Sequence, residues 1–353
     1  MVLKILINIL FLFIALAACT STPHCNGVSY TDFPKTQELK GVVIPLDTAL
    51  FRYPFRIRVQ GDKAMVMDLH GTNYFCHTFS YPDFHYLSSF GRRGESPDEQ
   101  ISVENVRWNR EYLWTLDANK SELTRFGCDL SGDSLFRQEA VNLDKDILRA
   151  LDFVMMDDST FIIPDYSGDN RFCWVNRQGG LLYKMGAIPS SNEDAMKHAR
   201  PALAQAWRSF IDYNPRNGVL AAVTQLGEVL EVFNLKDSTH VVRIGPHGEP
   251  EFKLSEGYGI PTGIMGFSDV QVTDSAIYAV FHGRSFKEIA QNARKGIQVD
   301  GGQYIYVFNL KGEPLCKYVL DHCIYGISVN EQKGTILATD VNKDEPIIEY
   351  TMK

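Results

Sequence analysis

Residues 102–141 decide the fold, because they contain four extended runs in succession: Ser102–Asn109 (SVENVRWN), Tyr112–Asp117 (YLWTLD), Glu122–Asp129 (ELTRFGCD) and Leu135–Val141 (LFRQEAV). Only two to five residues separate one run from the next. Connections this short join antiparallel strands, since a parallel pair needs a long crossover. The stretch therefore predicts one four-stranded antiparallel sheet.

The inner pair of runs recurs along the chain. Its six copies are Phe55–Asp68, Asn105–Asp117, Asp152–Asp165, Phe210–Thr224, Asp269–Phe281 and Gly326–Asp340. A third run follows at Leu230–Asn234, Tyr304–Asn309 and Ile347–Tyr350. Six units of roughly 50 residues, each with four strands, are typical of propeller blades. We therefore predict an all-β fold, a six-bladed β-propeller with four-stranded antiparallel blades.

The two ends of the repeat region complement each other. The sixth unit stops at Lys353 without a fourth run, whereas Leu39–Leu46 (LKGVVIPL) is a spare strand before the first unit. We expect residues 39–46 to join the last blade as its outer strand, which would close the ring and remove an exposed sheet edge. Pro45 suits an edge strand, where a missing N–H costs little. The propeller domain is then residues 39–353.

Composition restricts the class of protein. The 353 residues are 44% apolar, 22% charged and 12% aromatic, which is typical of a globular chain and excludes a disordered one. Lysine and arginine total 35 against 43 acidic residues, for a net charge of −8. Nucleic acid is not an expected partner, because phosphate binding needs a concentrated positive face.

The N-terminus has the pattern of an export signal. Lys4 precedes the apolar run Ile5–Ile14, and Leu16-Ala17-Ala18-Cys19 follows. The apolar core is shorter than the ~20 residues of a membrane span. The pattern resembles a bacterial lipoprotein signal with its lipobox, although an ordinary cleaved secretory signal is an alternative. Residues 1–18 would then be the signal peptide and 19–38 a lipidated tether rich in small polar residues.

The lipoprotein resemblance implies a location. Acyl chains on Cys19 would anchor the protein in the membrane of a bacterial cell envelope. Thr20, rather than Asp, follows the cysteine. By resemblance to lipoprotein sorting this implies the outer membrane, with the periplasmic or surface side left open.

Several motifs resemble the TolB-like six-bladed propeller lipoproteins, which are relatives of the NHL-repeat propellers. Besides Cys19, they are Pro54–Ile57 (PFRI), Phe90–Pro97 (FGRRGESP), Asp165–Phe172 (DYSGDNRF), Ser285–Glu288 (SFKE) and Tyr304–Asn309 (YIYVFN). The resemblance covers essentially the whole chain. It implies the propeller fold, but it brings no agreed catalytic set, because fold does not fix function.

One face of a propeller, called here the top face, carries the connections from the fourth strand of one blade to the first strand of the next, together with the loops between the second and third strands of each blade. Four enlarged connections are expected there. They are Gly91–Ile101, Gly186–Arg208, Gly245–Gly266 and Gly283–Gly302. Asn192–Trp207 and Phe286–Arg294 have helical patterns, the first interrupted by Pro201. We expect a ligand-binding surface there, built by Arg92, Arg93, Trp207, Tyr258, His282 and Arg284. Alternatively, the insertions only cover the channel.

A second hypothesis places a metal in the channel. Propellers that resemble lactonases or lyases hold a divalent cation at the channel mouth, and Glu104, Asn105, Asp152 and Asp269 lie near the starts of inner strands. Wet channels also explain polar residues there. The recurring acids Asp68, Asp117, Asp165 and Asp340 are interpreted as turn-forming residues rather than calcium ligands.

Six cysteines besides Cys19 leave pairing open. Cys316 and Cys323 are the candidate disulfide, and mostly free, buried thiols are the favoured alternative.

Taken together, these features favour a membrane-anchored, non-catalytic scaffold without a cofactor, which binds a protein, peptide or glycan through its top-face loops. The alternative is a metal-dependent propeller enzyme of the lactonase or lyase type.

Overall fold

The computed structural model describes residues 27–47, 51–128 and 134–352. The predicted signal peptide and Cys19 lie outside the described residues. Within the described ranges, no helix combines the length and the apolar character needed to cross a bilayer.

Three short strands precede the first blade, and blades 1 to 3 follow in chain order. The early strands are β1 (Val28–Ser29), β2 (Thr36–Leu39) and β3 (Val42–Ile44). Blade 1 contains β4 (Pro54–Gln60), β5 (Lys63–Asp68), β6 (Tyr74–Ser80) and β7 (Tyr86–Arg92). Blade 2 contains β8 (Val103–Asn109), β9 (Tyr112–Asp117), β10 (Glu122–Cys128) and β11 (Leu135–Asn142). Blade 3 contains β12 (Val154–Met155), β13 (Thr160–Pro164), β14 (Phe172–Asn176) and β15 (Leu181–Met185).

Blades 4 to 6 carry the larger insertions. Helices α1 (Glu193–His198) and α2 (Arg200–Ala206) precede blade 4, which contains β16 (Ser209–Asn214), β17 (Val219–Thr224), β18 (Val229–Asn234) and β19 (Thr239–Ile244). A hairpin of β20 (Phe252–Ser255) and β21 (Tyr258–Pro261) leads to blade 5. Blade 5 contains β22 (Phe267–Val272), β23 (Ala276–Phe281), helix α3 (Phe286–Arg294), β24 (Gly302–Asn309) and β25 (Pro314–Ile324). Blade 6 contains β26 (Ile327–Asn330), β27 (Thr335–Thr339) and β28 (Ile347–Thr351).

The predicted ring closure is confirmed. β3 pairs antiparallel with β28, with Val43 opposite Ile348, and supplies the fourth strand of blade 6. A β-carbon at Gly41 would lie 2.5 Å from Cγ2 of Ile348, so glycine lets the chain enter this strand closely against blade 6. The six-bladed propeller predicted from the repeat is therefore the observed fold.

The N-terminal segment differs from the expected tether. β1 pairs in parallel with β19, and β2 pairs in parallel with β25, so residues before 39 add a fifth strand to blades 4 and 5. Phe33 between them is 8% exposed and packs against Tyr306 and Phe308, with ring centroids 4.5 and 5.4 Å apart. Burial of these apolar groups holds the segment on the propeller.

Carboxylates on inner strands connect successive blades around the channel. Asp152 accepts the backbone N–H of Ile211 at 2.9 Å, Asp212 that of Val272 at 2.7 Å, and Asp269 that of Ile327 at 2.9 Å. Each bond runs from one blade to the next. The polar inner-strand positions are thus used to dock blades 3 to 6 in order.

Arginines from blades 1 and 2 neutralise these carboxylates. Arg58 binds Asp269 with two nitrogens at 2.8 and 2.9 Å, and Arg107 donates to Asp152 at 3.1 Å and to Asp212 at 2.7 Å. Buried carboxylates are costly unless they are paired in this way. Burial alone would raise the pKa of Asp269, but Arg56 and Arg58 hold it below its ordinary value.

Candidate functional site

The top face carries walls built by the insertions. Both helices predicted from the sequence are present, and the Asn192 side chain caps α1 by accepting the N–H of Ala195. Arg200 and Pro201 begin the second helix of the split pair. A β-carbon at Gly259 would lie 2.8 Å from the carbonyl oxygen of Ala202, so glycine lets the β20–β21 hairpin pack directly on α2.

The centre of the top face is a polar compartment of about 570 Å³. It lies above the inner strands, with Phe55 and Phe210 in its lining. Its polar lining residues are His70, Arg93, Ser102, Glu104, Arg208, Gln225 and Asp300, and its remaining aromatic residues are Tyr53, Phe75 and Tyr325. Aromatic rings next to hydrogen-bonding side chains of both charges suit a polar organic ligand.

Hydrogen bonds fix the groups of the polar compartment. The Tyr53 hydroxyl donates to Asp300 at 2.5 Å, and Arg208 donates to Glu104 at 3.2 Å. Burial raises the pKa of Tyr53, with the neighbouring Tyr325 and Asp300 adding to the effect. Burial next to Asp300 also raises the pKa of Tyr325 to about 12. Both phenols therefore stay protonated at neutral pH, and the single O–H of Tyr53 is already engaged by Asp300.

A second, apolar compartment of about 570 Å³ adjoins the first. Its walls come from the loop before blade 3, from α2, from the β20–β21 hairpin and from the start of α3. The apolar lining residues are Leu148, Leu151, Tyr166, Pro201, Leu226, Tyr258, Pro261, Met265 and Phe286. Tyr258 is 59% exposed and Leu148 is 48% exposed, so apolar surface here is open to solvent.

Arg208 and Gln225 line both compartments, which therefore lie side by side on the top face. Arg208 lies directly after the helical insertion and before β16, while Gln225 follows β17. We call this whole feature the top-face cleft. Its size is within the range of cavities that bind small ligands or peptide segments.

Of the six residues expected to bind ligand, two line the top-face cleft and four do not. Arg93 lines the polar compartment, where its guanidinium lies 4.8 Å from the centre of the Phe75 ring, and Tyr258 lines the apolar compartment. Arg92 is exposed and pairs with Glu99 at 3.2 Å. Arg284 donates to the carbonyl oxygens of Val299 and Gly301, and so holds the loop after α3.

Trp207 and His282 do not reach the surface as expected. Trp207 is 0% exposed and packs in the cluster under α1 and α2, and His282 is 4% exposed. Burial and the nearby Arg284 lower the pKa of His282 to about 4. The residue before each of them, Ala206 or Phe281, is also buried at 1% exposure, and only the packing of the insertions reveals that Trp207 and His282 point inward.

The four residues of the metal hypothesis do not form a common cage. Asn105 donates to Asp152, which also binds Arg107, while Asp269 binds Arg58 and Glu104 binds Arg208. Within residues 27–47, 51–128 and 134–352, no three His, Cys, Asp or Glu side chains are arranged to hold an ion. The arginines satisfy the carboxylates that the hypothesis assigned to the metal.

The recurring acids after the second strands form turns, as interpreted. Asp117 accepts the N–H groups of Asn119 and Lys120, each at 3.0 Å, and Asp340 accepts that of Asn342 at 2.9 Å. Side chains that bond their own turn backbone are typical of such positions.

Cys316 and Cys323 lie on the same strand, β25, and are not paired; the five described cysteines are all free.

Sequence reasoning missed the residues that join the two compartments. Arg208 and Gln225 belong to no motif, and Leu148, Arg149 and Phe286 looked like ordinary loop and helix residues. The one available signal was position, since Arg208 ends the longest top-face connection.

Comparison with known proteins gives a family and a fold. A model of the TolB-like 6-blade propeller-like family matches residues 32–332. A comparison with curated proteins finds no match.

Solved propellers are similar in fold. A protein from Bacteroides fragilis described as exported has a TM-score of 0.56 at 10% identity, covering 92% of this chain and 99% of its own. A member of the DUF4221 family from Bacteroides vulgatus has a TM-score of 0.56 at 12% identity, covering 90% and 98%. Streptogramin B lyase has a TM-score of 0.52 at 10% identity, covering 89% and 98%. At these identities the likeness is one of fold alone. Because the family model spans most of the sequence and the six blades are present, the chain belongs to the TolB-like 6-blade propeller-like family.

Proposed function

We propose that this protein is an exported lipoprotein of the bacterial cell envelope, anchored through acyl chains on Cys19, whose propeller binds a ligand without catalysing a reaction. The ligand is a protein, peptide or glycan, and it binds in the top-face cleft. The lipobox at residues 16–19 supports the anchor, and Thr20 favours the outer membrane. The similar Bacteroides fragilis protein, described as exported, is consistent with this location.

One observation carries the binding role: the insertions of blades 3 to 5 wall an apolar compartment that lies directly beside a polar one. Single exposed apolar residues are common on any protein, whereas a concave apolar surface with a few convergent polar groups is typical of a binding site. The carboxylates nearby on the channel side are engaged by arginines and dock the blades. Binding, rather than chemistry, is therefore the use that the geometry supports best.

A matched pair of substitutions tests the cleft. Leu148 in the apolar compartment and Leu182 on β15 are 48% and 53% exposed. The full chain, immobilised, is offered an array of random 12-residue peptides and an array of oligosaccharides. We expect defined probes to bind the parent and Leu182→Arg but not Leu148→Arg, because a charge in the apolar compartment is desolvated by the ligand. The cleft is not the binding site if Leu148→Arg binds the same probes as the parent.

The anchor is tested separately with labelled palmitate in growing cells. Cys19→Ala should abolish incorporation of the label, because the thiol is the acceptor. Cys25→Ala removes the other N-terminal cysteine and should leave labelling unchanged. Labelling that survives Cys19→Ala would show that the lipid is not on this residue.

A further inference from the structure

We infer that the apolar compartment binds the C-terminus of a peptide or protein chain that ends in apolar residues, with Arg149 pairing with the terminal carboxylate. The inference rests on the proposed function and names the ligand of the top-face cleft. It is carried by the charge of the lining, by the placement of Arg149 and by the position of the two compartments side by side.

The charge of the apolar compartment is opposite in sign to that of the protein. The chain has a net charge of −8. Among the described residues, those that line the apolar compartment include two arginines, Arg149 and Arg208, and no carboxylate. A ligand that complements this lining is apolar and carries negative charge.

The two arginines differ in whether their charge is paired within the protein. Arg208 is 27% exposed and already binds Glu104 at 3.2 Å, so its charge is largely used within the protein. Arg149 is exposed and forms neither a salt bridge nor a side-chain hydrogen bond with any other described residue. Arg149 is thus the charge that remains available for a ligand.

The loop holds Arg149 in one place. Its flanking residues Ile147 and Ala150 are 3% and 1% exposed and pack in the cluster below the loop. Arg149 itself has φ of 51°, the left-handed region that costs a residue with a side chain roughly 1–2 kcal/mol. Leu148 and Arg149 are thus an exposed pair between two buried residues, and the backbone that carries Arg149 is held in place at the edge of the cleft.

The polar compartment next to the apolar one favours a chain end over a small apolar acid. An apolar acid would fill the apolar compartment alone and make no contact with the polar compartment. A peptide places its last apolar residues in the apolar compartment, while its preceding residues pass Arg208 and Gln225 and meet the donors and acceptors of the polar compartment. Capture of a terminal carboxylate is an established mode of peptide recognition.

The test uses the full chain in lipid nanodiscs and fluorescence anisotropy of a labelled hexapeptide, Asn-Gln-Ser-Gly-Leu-Phe. The probes are this peptide with a free carboxylate, its C-terminal amide, and unlabelled octanoate as a competing free acid, with empty nanodiscs as the blank. We expect the amide to bind at least about ten-fold more weakly than the acid, as for the loss of a charged hydrogen bond. Octanoate should displace the peptide only weakly.

Arg110 offers a matched control for Arg149. It is also an exposed arginine with a left-handed backbone, φ 52°, but it lies in the turn between β8 and β9 and pairs with Asp158. Arg149→Gln should make acid and amide bind equally, whereas Arg110→Gln should keep the ten-fold preference. Equal binding of acid and amide to the parent, no binding of either, or tighter binding of octanoate than of the peptide would each overturn the inference. If probes without a terminal carboxylate bind the parent but not Leu148→Arg, this inference fails while the proposed function stands.

Discussion

Phe55 and Phe210, from the opposite blades 1 and 4, meet across the ring with their centroids 6.4 Å apart. The guanidinium of Arg56 lies 4.4 Å from the Phe55 ring and 4.8 Å from the Phe210 ring. This contact closes the channel below the polar compartment. The top-face cleft is therefore a pocket with a floor rather than the mouth of an open channel.

Phe210→Ala should lower the free energy of unfolding by about 3–5 kcal/mol, because it leaves a cavity in the centre of the ring and removes the support of Arg56. Urea unfolding of the full chain in detergent measures the change. Phe136→Ala is the control, since Phe136 on β11 is 49% exposed and should change stability by less than about 1 kcal/mol. Similar effects of the two substitutions would show that the ring contact is not structural.

Asp269 should behave as a structural residue rather than a metal ligand. Asp269→Asn leaves the buried Arg56 and Arg58 without their counter-charge and should cost about 3–5 kcal/mol. The control is Asp274→Asn, whose exposed pair with Arg216 at 2.7 Å is worth about 1 kcal/mol or less. A chelator should not change the melting temperature of the parent; a decrease would revive the metal hypothesis.

The N-terminal segment should contribute to the stability of the propeller. Phe33→Ala removes a side chain that packs on Tyr306 and Phe308 and should cost about 3 kcal/mol. The control is Val42→Ala on the closing strand β3, which at 66% exposure should cost less than about 1 kcal/mol. Equal and small effects would mean that residues 27–39 are only a tether, as first expected from the sequence.

Stability should fall in mild acid because of buried histidines. Burial lowers the pKa of His282 and of His77 to about 4, below the ~6.5 of an unfolded chain. The unfolded chain then binds protons between pH 6.5 and pH 4 that the folded chain does not, so stability is full above pH 6.5 and decreases as the pH falls through this window. For His282 the loss is about 3 kcal/mol at pH 4.

The measurement is the free energy of unfolding at several pH values. His282→Asn should flatten the dependence between pH 6.5 and pH 4, whatever its effect at neutral pH. The exposed His198 provides the control, and His198→Asn should leave the slope unchanged. An unchanged slope in His282→Asn would show that this histidine is protonated in the folded protein.

The repeat predicted the blades because the burial pattern of each strand is visible in the residues of that strand. β17 and β23 are buried along their whole length, whereas β11 alternates between exposed and mostly half-buried positions, and both patterns are readable in the sequence. The closing strand was predictable because the sixth unit lacks a fourth strand and a spare strand precedes the first unit. The pairing of β1 and β2 was not, since two to four residues carry too weak a pattern to identify a strand.

The candidate site was predictable only in its location. Loop lengths and blade topology place the insertions on one face, and two of the six expected residues, Arg93 and Tyr258, line the cleft. Trp207 and Arg208 are adjacent in sequence, yet one is fully buried and the other lines both compartments. Their local patterns do not distinguish them, because the difference arises when α1 and α2 pack on blade 4.

The sequence by itself determined the number of blades, the closure of the ring and the face that carries the long connections, because each follows from strand period and chain order. Only the tertiary structure decided that the channel acids dock the blades and pair with arginines, that Phe55 and Phe210 meet across the channel, and that Arg149 and Arg208 lie at one cleft. The hydrogen bonds from Arg58 and Arg107 to these acids join residues 45 to 211 positions apart. Their partners are set by the geometry of the closed ring, which no local stretch of sequence specifies.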